Sequence, residues 1–444
     1  MRGRNPRHLA VHIVNRVFRS DSYADILLDE MLKRGDLSRQ DSAFLAELVY
    51  GTLRWLARLD WILKQVYHGD WPRVPSMIRR TLEVGLYQIL FLDKVPHYAV
   101  VNETVQIATE EKGIAWGRTV NAILREIVRH PDSFSPPSVE SDPVLAISIR
   151  WSHPEWLVKK WVDELGVDRT LSLCEANNKR PTLGVRVHPN HANRERVLKA
   201  FKALGIEAHP SALLDEFFTI EKAKGLVFSE PFKRGFFTIQ DVSAGLVSHL
   251  VDPQPGERIL DLCAAPGGKA THTAELGKDR VFVLAVDHRF ARLQQLVENR
   301  DRLKLKHLYP VLADGRFFRV RPVDKVLVDA PCSGTGVLRR RGELRWRNTE
   351  RSIPELVLLQ KRLLESGAES IQKGGILVYS TCSVLKEENE GVVVPFLENH
   401  SDFKVEDARL FVPSDVVSDR GFIETWPDRH GCDGSFAVRL KKVK

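Results

Sequence analysis

The 444-residue chain lacks several features that would place it in common protein classes. Its cysteines are few, odd in number and widely spaced: Cys174, Cys263, Cys332, Cys382 and Cys432, with no C-x2-C pair. Such a set supports neither a disulfide framework nor a cysteine zinc site, so the expectation is reduced thiols, no metal and a cytoplasmic location. No stretch approaches the ~18 uncharged apolar residues of a membrane-spanning helix. Nor does an apolar run of signal-peptide length follow the opening Met1-Arg-Gly-Arg-Asn-Pro-Arg-His, which argues against a secreted or membrane protein. Two nucleotide signatures are missing as well. A P-loop requires Gly six residues before its Lys and Ser or Thr after it, but around Lys269 those places hold Cys263 and Ala270, and no G-x-G-x-x-G occurs. Neither sign of charge dominates: 66 Lys+Arg against 58 Asp+Glu leave a net +8, which permits a polyanionic partner without demanding one.

The chain is longer than the ~250–300 residues at which a single hydrophobic core stops growing, so it must divide into domains. Residues 1–135 carry helical periodicity almost throughout. Asn5 is placed as an N-cap with Pro6 at the first helical position, and Leu9, Ile13, Val14, Val17 and Phe18 form one stripe. The turn-rich Pro131-Asp-Ser-Phe-Ser-Pro-Pro-Ser marks a boundary. Residues 141–235 mix helices (154–165 and 194–204) with strands (183–187 and 217–220), the pattern of a small α/β module. From 236 to 444 strands and helices alternate at the spacing of a parallel sheet, with strands at 258–262, 281–286, 307–312, 325–328 and 376–380. That is a doubly wound, Rossmann-like domain, whose ligands bind beyond the carboxyl ends of the strands.

The chemistry-bearing residues fall at those strand ends. The first strand runs into Asp261-Leu-Cys-Ala-Ala-Pro-Gly-Gly-Lys, where Gly267 and Gly268 open a helix and let backbone N–H groups approach a ligand. Asp287 ends the second strand, placed to accept ribose hydroxyls, and Asp314 follows the third, placed to accept from an exocyclic amine. Together Cys263, Ala264, Ala265, Pro266, Gly267, Gly268, Lys269, Asp287 and Asp314 describe a crevice for an adenosine-containing cofactor that needs no phosphate clamp. S-adenosylmethionine fits. The fourth strand delivers Asp329-Ala-Pro-Cys332 and the fifth Ser380-Thr-Cys382, which sets two thiols in one crevice. Cytosine C5 is too weak a nucleophile to take a methyl group directly, and thiolate addition at C6 activates it. A second group must then help remove the C5 proton, and Asp329 is placed to bond N3 or the amine of the base. After the first cysteine motif comes an arginine run, Arg339, Arg340, Arg341, Arg345 and Arg347 with Trp346 among them, read as phosphate and base contacts to RNA. Since stacking shields C6, the target cytosine must be single-stranded or flipped out.

The motifs DLCAAPGGKA, AVD, ADGR, DAPCSGTG and STCS, in that order, resemble those of the Nop/Sun family of RNA cytosine-C5 methyltransferases over residues 150–444. Ala270 departs from the family, where Thr is more usual, as does Ser243-Ala244 in place of Ser-Ser. The resemblance implies a class I methyltransferase domain using S-adenosyl-L-methionine, a nucleophile at Cys382, a role for Cys332 in product release, and Asp329 as a further cofactor contact. The helical first domain looks like the NusB-type RNA-binding fold, and the middle module like an RRM-like α/β connector. That architecture is similar to the Sun subgroup and implies one cytosine of 16S ribosomal RNA as substrate and a monomeric enzyme. Transfer RNA with the same chemistry, or an inactive RNA-binding assembly factor, stand as alternatives.

Overall fold

The computed structural model describes residues 5–20, 22–221 and 225–443; the first four residues and the last one of the expected domains lie outside these. The chain forms two compact units, Met1–Asn178 with Leu338–Glu350, and Lys179–Val337 with Arg351–Lys444. Among the described residues no helix is long and apolar enough to cross a membrane.

The first unit is helical: α1 (Pro6–Arg19), α2 (Ala24–Leu32), α3 (Arg39–Val66), α4 (Ser76–Phe91), α5 (His97–Lys112), α6 (Ile114–Arg129), α7 (Pro143–Trp151), α8 (Glu155–Leu165) and α9 (Val167–Asn178). Asn5 caps α1 as expected: its side chain accepts from the Arg7 N–H at 2.9 Å, and Pro6 opens the helix. The stripe of α1 faces inward, with Leu9, Ile13, Val14 and Val17 buried against Leu48, Leu82, Leu86 and Leu124. At Gly51 the contact between α3 and α4 leaves no room for a side chain, since a Cβ would lie 2.0 Å from the Tyr87 ring.

The helical unit does not end at the turn-rich stretch near 135. Asp142 caps α7, whose Ala146, Ile147 and Ile149 are buried, and α7 packs on α3, where the Ser152 hydroxyl accepts from the Ala57 N–H at 2.9 Å. Turn chemistry locates a bend in the chain; it does not say whether the next helix packs back on the same core. The compact break falls after Asn178.

In the second unit, β1 (Leu183–Val187), α10 (Arg194–Ala203), β2 (Ala208–Pro210), β3 (Phe217–Ile220), α11 (Glu230–Lys233) and β4 (Phe237–Ile239) form an antiparallel sheet in the order β2-β3-β1-β4. The larger sheet follows: α12 (Val242–Val251), β5 (Arg258–Asp261), α13 (Gly268–Leu276), β6 (Phe282–Asp287), α14 (Phe290–Arg302), β7 (Leu308–Leu312) and β8 (Val323–Asp329). After β8 the chain passes through α15 (Leu344–Arg347), a part of the helical unit, and returns as α16 (Ile353–Glu369), β9 (Ile371–Thr381), α17 (Glu390–Asn399), β10 (Phe403–Glu406), β11 (Ile423–Thr425), α18 (Pro427–His430) and β12 (Ser435–Lys442). Its order is β10-β12-β9-β8-β5-β6-β7, with β11 on β12. All pairs from β9 to β7 are parallel, and β10, β11 and β12 add antiparallel strands that the alternation pattern did not reveal. The strand order reverses between β8 and β5, so the ligand crevice of a doubly wound sheet opens there.

Candidate active site

Side chains from the ends of β5, β8 and β9 converge at that reversal. Asp329 ends β8 opposite Ser380 on β9, and its Oδ1 accepts from the Ser380 hydroxyl at 2.9 Å and from the Lys269 ammonium at 2.7 Å. Lys269 stands on the first turn of α13: burial would lower its pKa, but Asp329 outweighs this and raises it, so the ammonium stays charged. Gly267 sits at φ +101°, and a Cβ there would come within 2.9 Å of Leu296, so the turn into α13 requires glycine.

Asp261, on β5, is 1% exposed, and its Oδ2 has no hydrogen-bond partner, while the Cys263 N–H reaches Oδ1 at 3.3 Å. Burial first, and the Asp329 charge second, push its carboxyl up to about 8. Asp287 is buried at the end of β6, each oxygen already accepting one backbone N–H, from Ala265 at 3.2 Å and Arg289 at 2.9 Å. Carboxylate oxygens can accept further bonds, so the ribose expectation for Asp287 is compatible with these two. Asp314 differs from expectation: the Arg316 guanidinium forks onto it, with Nη2 at 2.6 Å and Nε at 3.0 Å, and holds the carboxyl below its ordinary range. Arg316, two residues away, thus uses part of the acceptor capacity expected to meet an exocyclic amine, a local pairing that strand-end position alone does not disclose.

The two thiols meet. Cys332 Sγ and Cys382 Sγ are 3.2 Å apart, one beyond β8 and the other beyond β9. Their acidities separate: the hydrogen bond between them holds Cys382 below the ordinary thiol value and, together with burial, drives Cys332 well above it. The contact thus makes Cys382 the more acidic thiol of the pair and Cys332 the one that holds its proton more tightly. The Gly336 N–H donates to the Cys382 carbonyl at 3.0 Å, and the Gly434 N–H to the Gly336 carbonyl at 2.8 Å; a Cβ on Gly336 would strike the Gly434 carbonyl oxygen at 2.1 Å.

Family models match three segments: the NusB family over residues 4–129, the RsmF/B-like ferredoxin-like domain over 153–226, and the 16S rRNA methyltransferase RsmB/F over 248–441. The curated "Probable ribosomal RNA small subunit methyltransferase B" of Synechocystis sp. is 35% identical over 446 residues, covering 98% of this chain and 99% of its own. The chain belongs to the ribosomal RNA small subunit methyltransferase B family. Ribosomal RNA small subunit methyltransferase B of Yersinia pestis is 34% identical, covering 90% of this chain and 91% of its own. The solved structure of PH0851 superposes with a TM-score of 0.82 at 28% identity, over 98% of this chain and 99% of that one.

For a methyltransferase of this family, the arginine run needs correction. Arg345 is 1% exposed, and its guanidinium donates to the carbonyls of Arg54 at 3.0 Å, Ser152 at 2.9 Å and Asn177 at 2.9 Å. Trp346 Nε1 donates to the Leu53 carbonyl at 2.6 Å, and Arg347 donates to the carbonyls of Val17, Ser20 and Ser22. Arg339 is buried too, its carbonyl accepting from Arg54, and Arg341 pairs with Asp25 at 3.5 Å. In the helical unit Arg345, Trp346 and Arg347 are thus tie points to backbone carbonyls, and are not presented to a phosphate or a base.

Residue type did not single out two other groups. Arg186 on β1, fully buried, donates to the Gly268 carbonyl at 3.0 Å and to Thr271 at 3.2 Å and pairs with Glu275 at 3.1 Å, which braces the first turn of α13. Glu388, also fully buried, lies between the two cysteine segments; the run Glu387-Glu388-Asn389 so soon after Cys382 was the available signal.

Proposed function

We propose that this methyltransferase modifies C5 of a cytosine in 16S ribosomal RNA through a covalent bond between Cys382 and C6, using S-adenosyl-L-methionine. The observation that carries the proposal is the thiol pair at 3.2 Å with divided acidity. Cys382, the more acidic of the two thiols, adds to C6 as its thiolate and makes C5 nucleophilic. Asp329, aligned by Lys269 and Ser380, is positioned to bond N3 or the exocyclic amine of the base. Once the Cys382 sulfur is bonded to C6, Cys332 gives up its own proton to solvent and as thiolate takes the C5 proton, after which C6–S cleavage frees the product and returns Cys382 as thiolate.

When bound, S-adenosyl-L-methionine supplies an electrophilic methyl group on a sulfonium centre. The residues fit this cation. The orphaned, buried Oδ2 of Asp261 needs a positive or donor partner, and the loop from Cys263 to Lys269 with Asp287 supplies the surrounding cradle. Relatives named for the small ribosomal subunit over the whole chain length favour 16S ribosomal RNA. We place the reaction in the cytoplasm, with a single-stranded or flipped-out base.

Bisulfite mapping of ribosomal and transfer RNA from cells with and without the gene tests the substrate. One 16S cytosine should lose its methylation with the gene; an unchanged 16S pattern, or a change confined to transfer RNA, would overturn the ribosomal assignment.

A further inference from the structure

The two thiols stand on separate loops, and their separation is set by what joins those loops. Glu388 is 0% exposed, and among the described residues its carboxylate forms no ion pair. Its carboxylate is instead surrounded by donors. Oε1 accepts from the Ser333 N–H at 2.8 Å and from Gln360 Nε2 at 2.9 Å, and Oε2 accepts from the hydroxyls of both Ser333 and Ser383. Ser333 follows Cys332 and Ser383 follows Cys382, so one carboxylate holds the residue next to each thiol. The same Gln360 amide also donates to the Pro331 carbonyl at 2.9 Å, on the other side of Cys332. Around this hub, Tyr379 donates to the Glu388 carbonyl at 2.6 Å, and Asn389 bridges Thr381 and the Ser383 carbonyl at 2.6 and 3.0 Å. Apart from the bond to the half-buried Pro331, these bonds are between buried partners, where an unmade bond is costly and a complete network is rigid.

We infer that Glu388 is a positioning residue that fixes the contact between Cys332 and Cys382. It does so by gripping Ser333 and Ser383, and it touches no reacting atom. Residues Gln360 and Asn389 complete the grip. The inference rests on the proposed roles of the two cysteines for its catalytic consequence, but its geometric content stands without them.

The test measures both. In Glu388→Gln, one of the two acceptor oxygens becomes a donor facing two hydroxyls. Diamide-driven formation of a Cys332–Cys382 disulfide, followed in the full-length protein without RNA, should slow severalfold, because the reaction requires the two sulfurs to meet. Turnover on RNA should fall by about 10²-fold, the cost of a displacement near 1 Å in a reacting pair. The KM for S-adenosyl-L-methionine should stay within about twofold, since none of the gripped residues lies in the cofactor loop. Glu388→Asp, which keeps the charge on a shorter arm, should recover part of the disulfide rate. Wild-type disulfide kinetics in folded Glu388→Gln would overturn the inference, as would a loss of turnover matched by an equal loss of cofactor binding. Slow disulfide formation with no RNA methylation by the wild-type protein would uphold the positioning role and refute the proposed function instead.

Discussion

Two stretches of the chain six residues apart behave in opposite ways. Cys332, beyond β8, and its partner Cys382 form a contact in the second unit, whereas Leu338–Glu350, which follows Cys332 closely, belongs to the helical unit. Both stretches invited a reading by residue type, thiols for covalent chemistry and arginines for RNA. The thiol reading kept its geometric half, since two adjacent strand ends bring the pair to 3.2 Å, and its covalent chemistry stands as the proposal. The arginine reading did not, because a guanidinium offers five donors and is indifferent to whether a phosphate or a carbonyl receives them. Arg345 gives them to three main-chain carbonyls. A run of charge therefore says little until the acceptors are known.

The largest effect should come from the thiols. Cys382→Ala is expected to abolish methylation and any denaturation-resistant protein–RNA adduct, while Cys332→Ala should keep forming the adduct and accumulate it on denaturing gels. Equal behaviour of the two variants would remove the asymmetry on which their proposed roles depend. In iodoacetamide titrations of the native protein, Cys382 should also be alkylated at lower pH than Cys332, following the opposite directions of their shifts.

Next in size is Arg345. Removing it takes a buried donor from three backbone carbonyls, those of Ser152 and Asn177 among buried residues, so Arg345→Ala should cost about 3 kcal/mol of stability, seen in denaturant unfolding of the full chain. Arg345→Lys should not restore it, because an ammonium cannot reproduce the planar fork. A neutral Arg345→Ala that instead weakened RNA binding would return the run to the role first read from its charge.

Asp261 gives a pH-dependent effect. Its folded carboxyl is raised to about 8, above the unfolded value of 3.8, so the folded state keeps a proton that the unfolded chain has released. Between those values, stability without cofactor should fall as pH rises, and Asp261→Asn should remove this slope while being more stable at pH 8 by on the order of a few kcal/mol. The same substitution should weaken S-adenosyl-L-methionine binding, since a bound cation would draw the proton off Asp261 and pair with the carboxylate, which Asn cannot provide. A flat stability profile for the wild type between pH 4 and 8 would refute the burial argument for Asp261.

The smallest effect belongs to Arg341. Its side chain is 46% exposed and pairs with Asp25, so Arg341→Ala should change stability by less than about 1 kcal/mol. Set beside Arg345→Ala, it isolates burial as the variable that separates two arginines four positions apart.

The strands of the catalytic domain were legible because buried parallel strands must be apolar, and in the small antiparallel sheet β1 and β3 likewise fall on 183–187 and 217–220 as the pattern predicts. The antiparallel strands β10, β11 and β12 were not, because Phe403–Glu406 and Ile423–Thr425 are short and mix polar with apolar residues. Among site residues, strand-end position located Asp287, Asp329 and both cysteines. It could not show that Arg316 pairs with Asp314, nor that Asp261, at the end of β5, keeps one buried oxygen without a hydrogen-bond partner.

By itself the sequence determined which elements form and which chemical groups reach the strand ends, because helical and strand periodicities and turn residues act over a few neighbours. Only the tertiary structure decided the rest. It carries the helical unit through Asn178, gives Arg345 its carbonyls, brings two thiols fifty positions apart to 3.2 Å, and puts Glu388 between their loops. Those outcomes depend on which donors and acceptors lose water together, and residues distant in the chain settle that jointly.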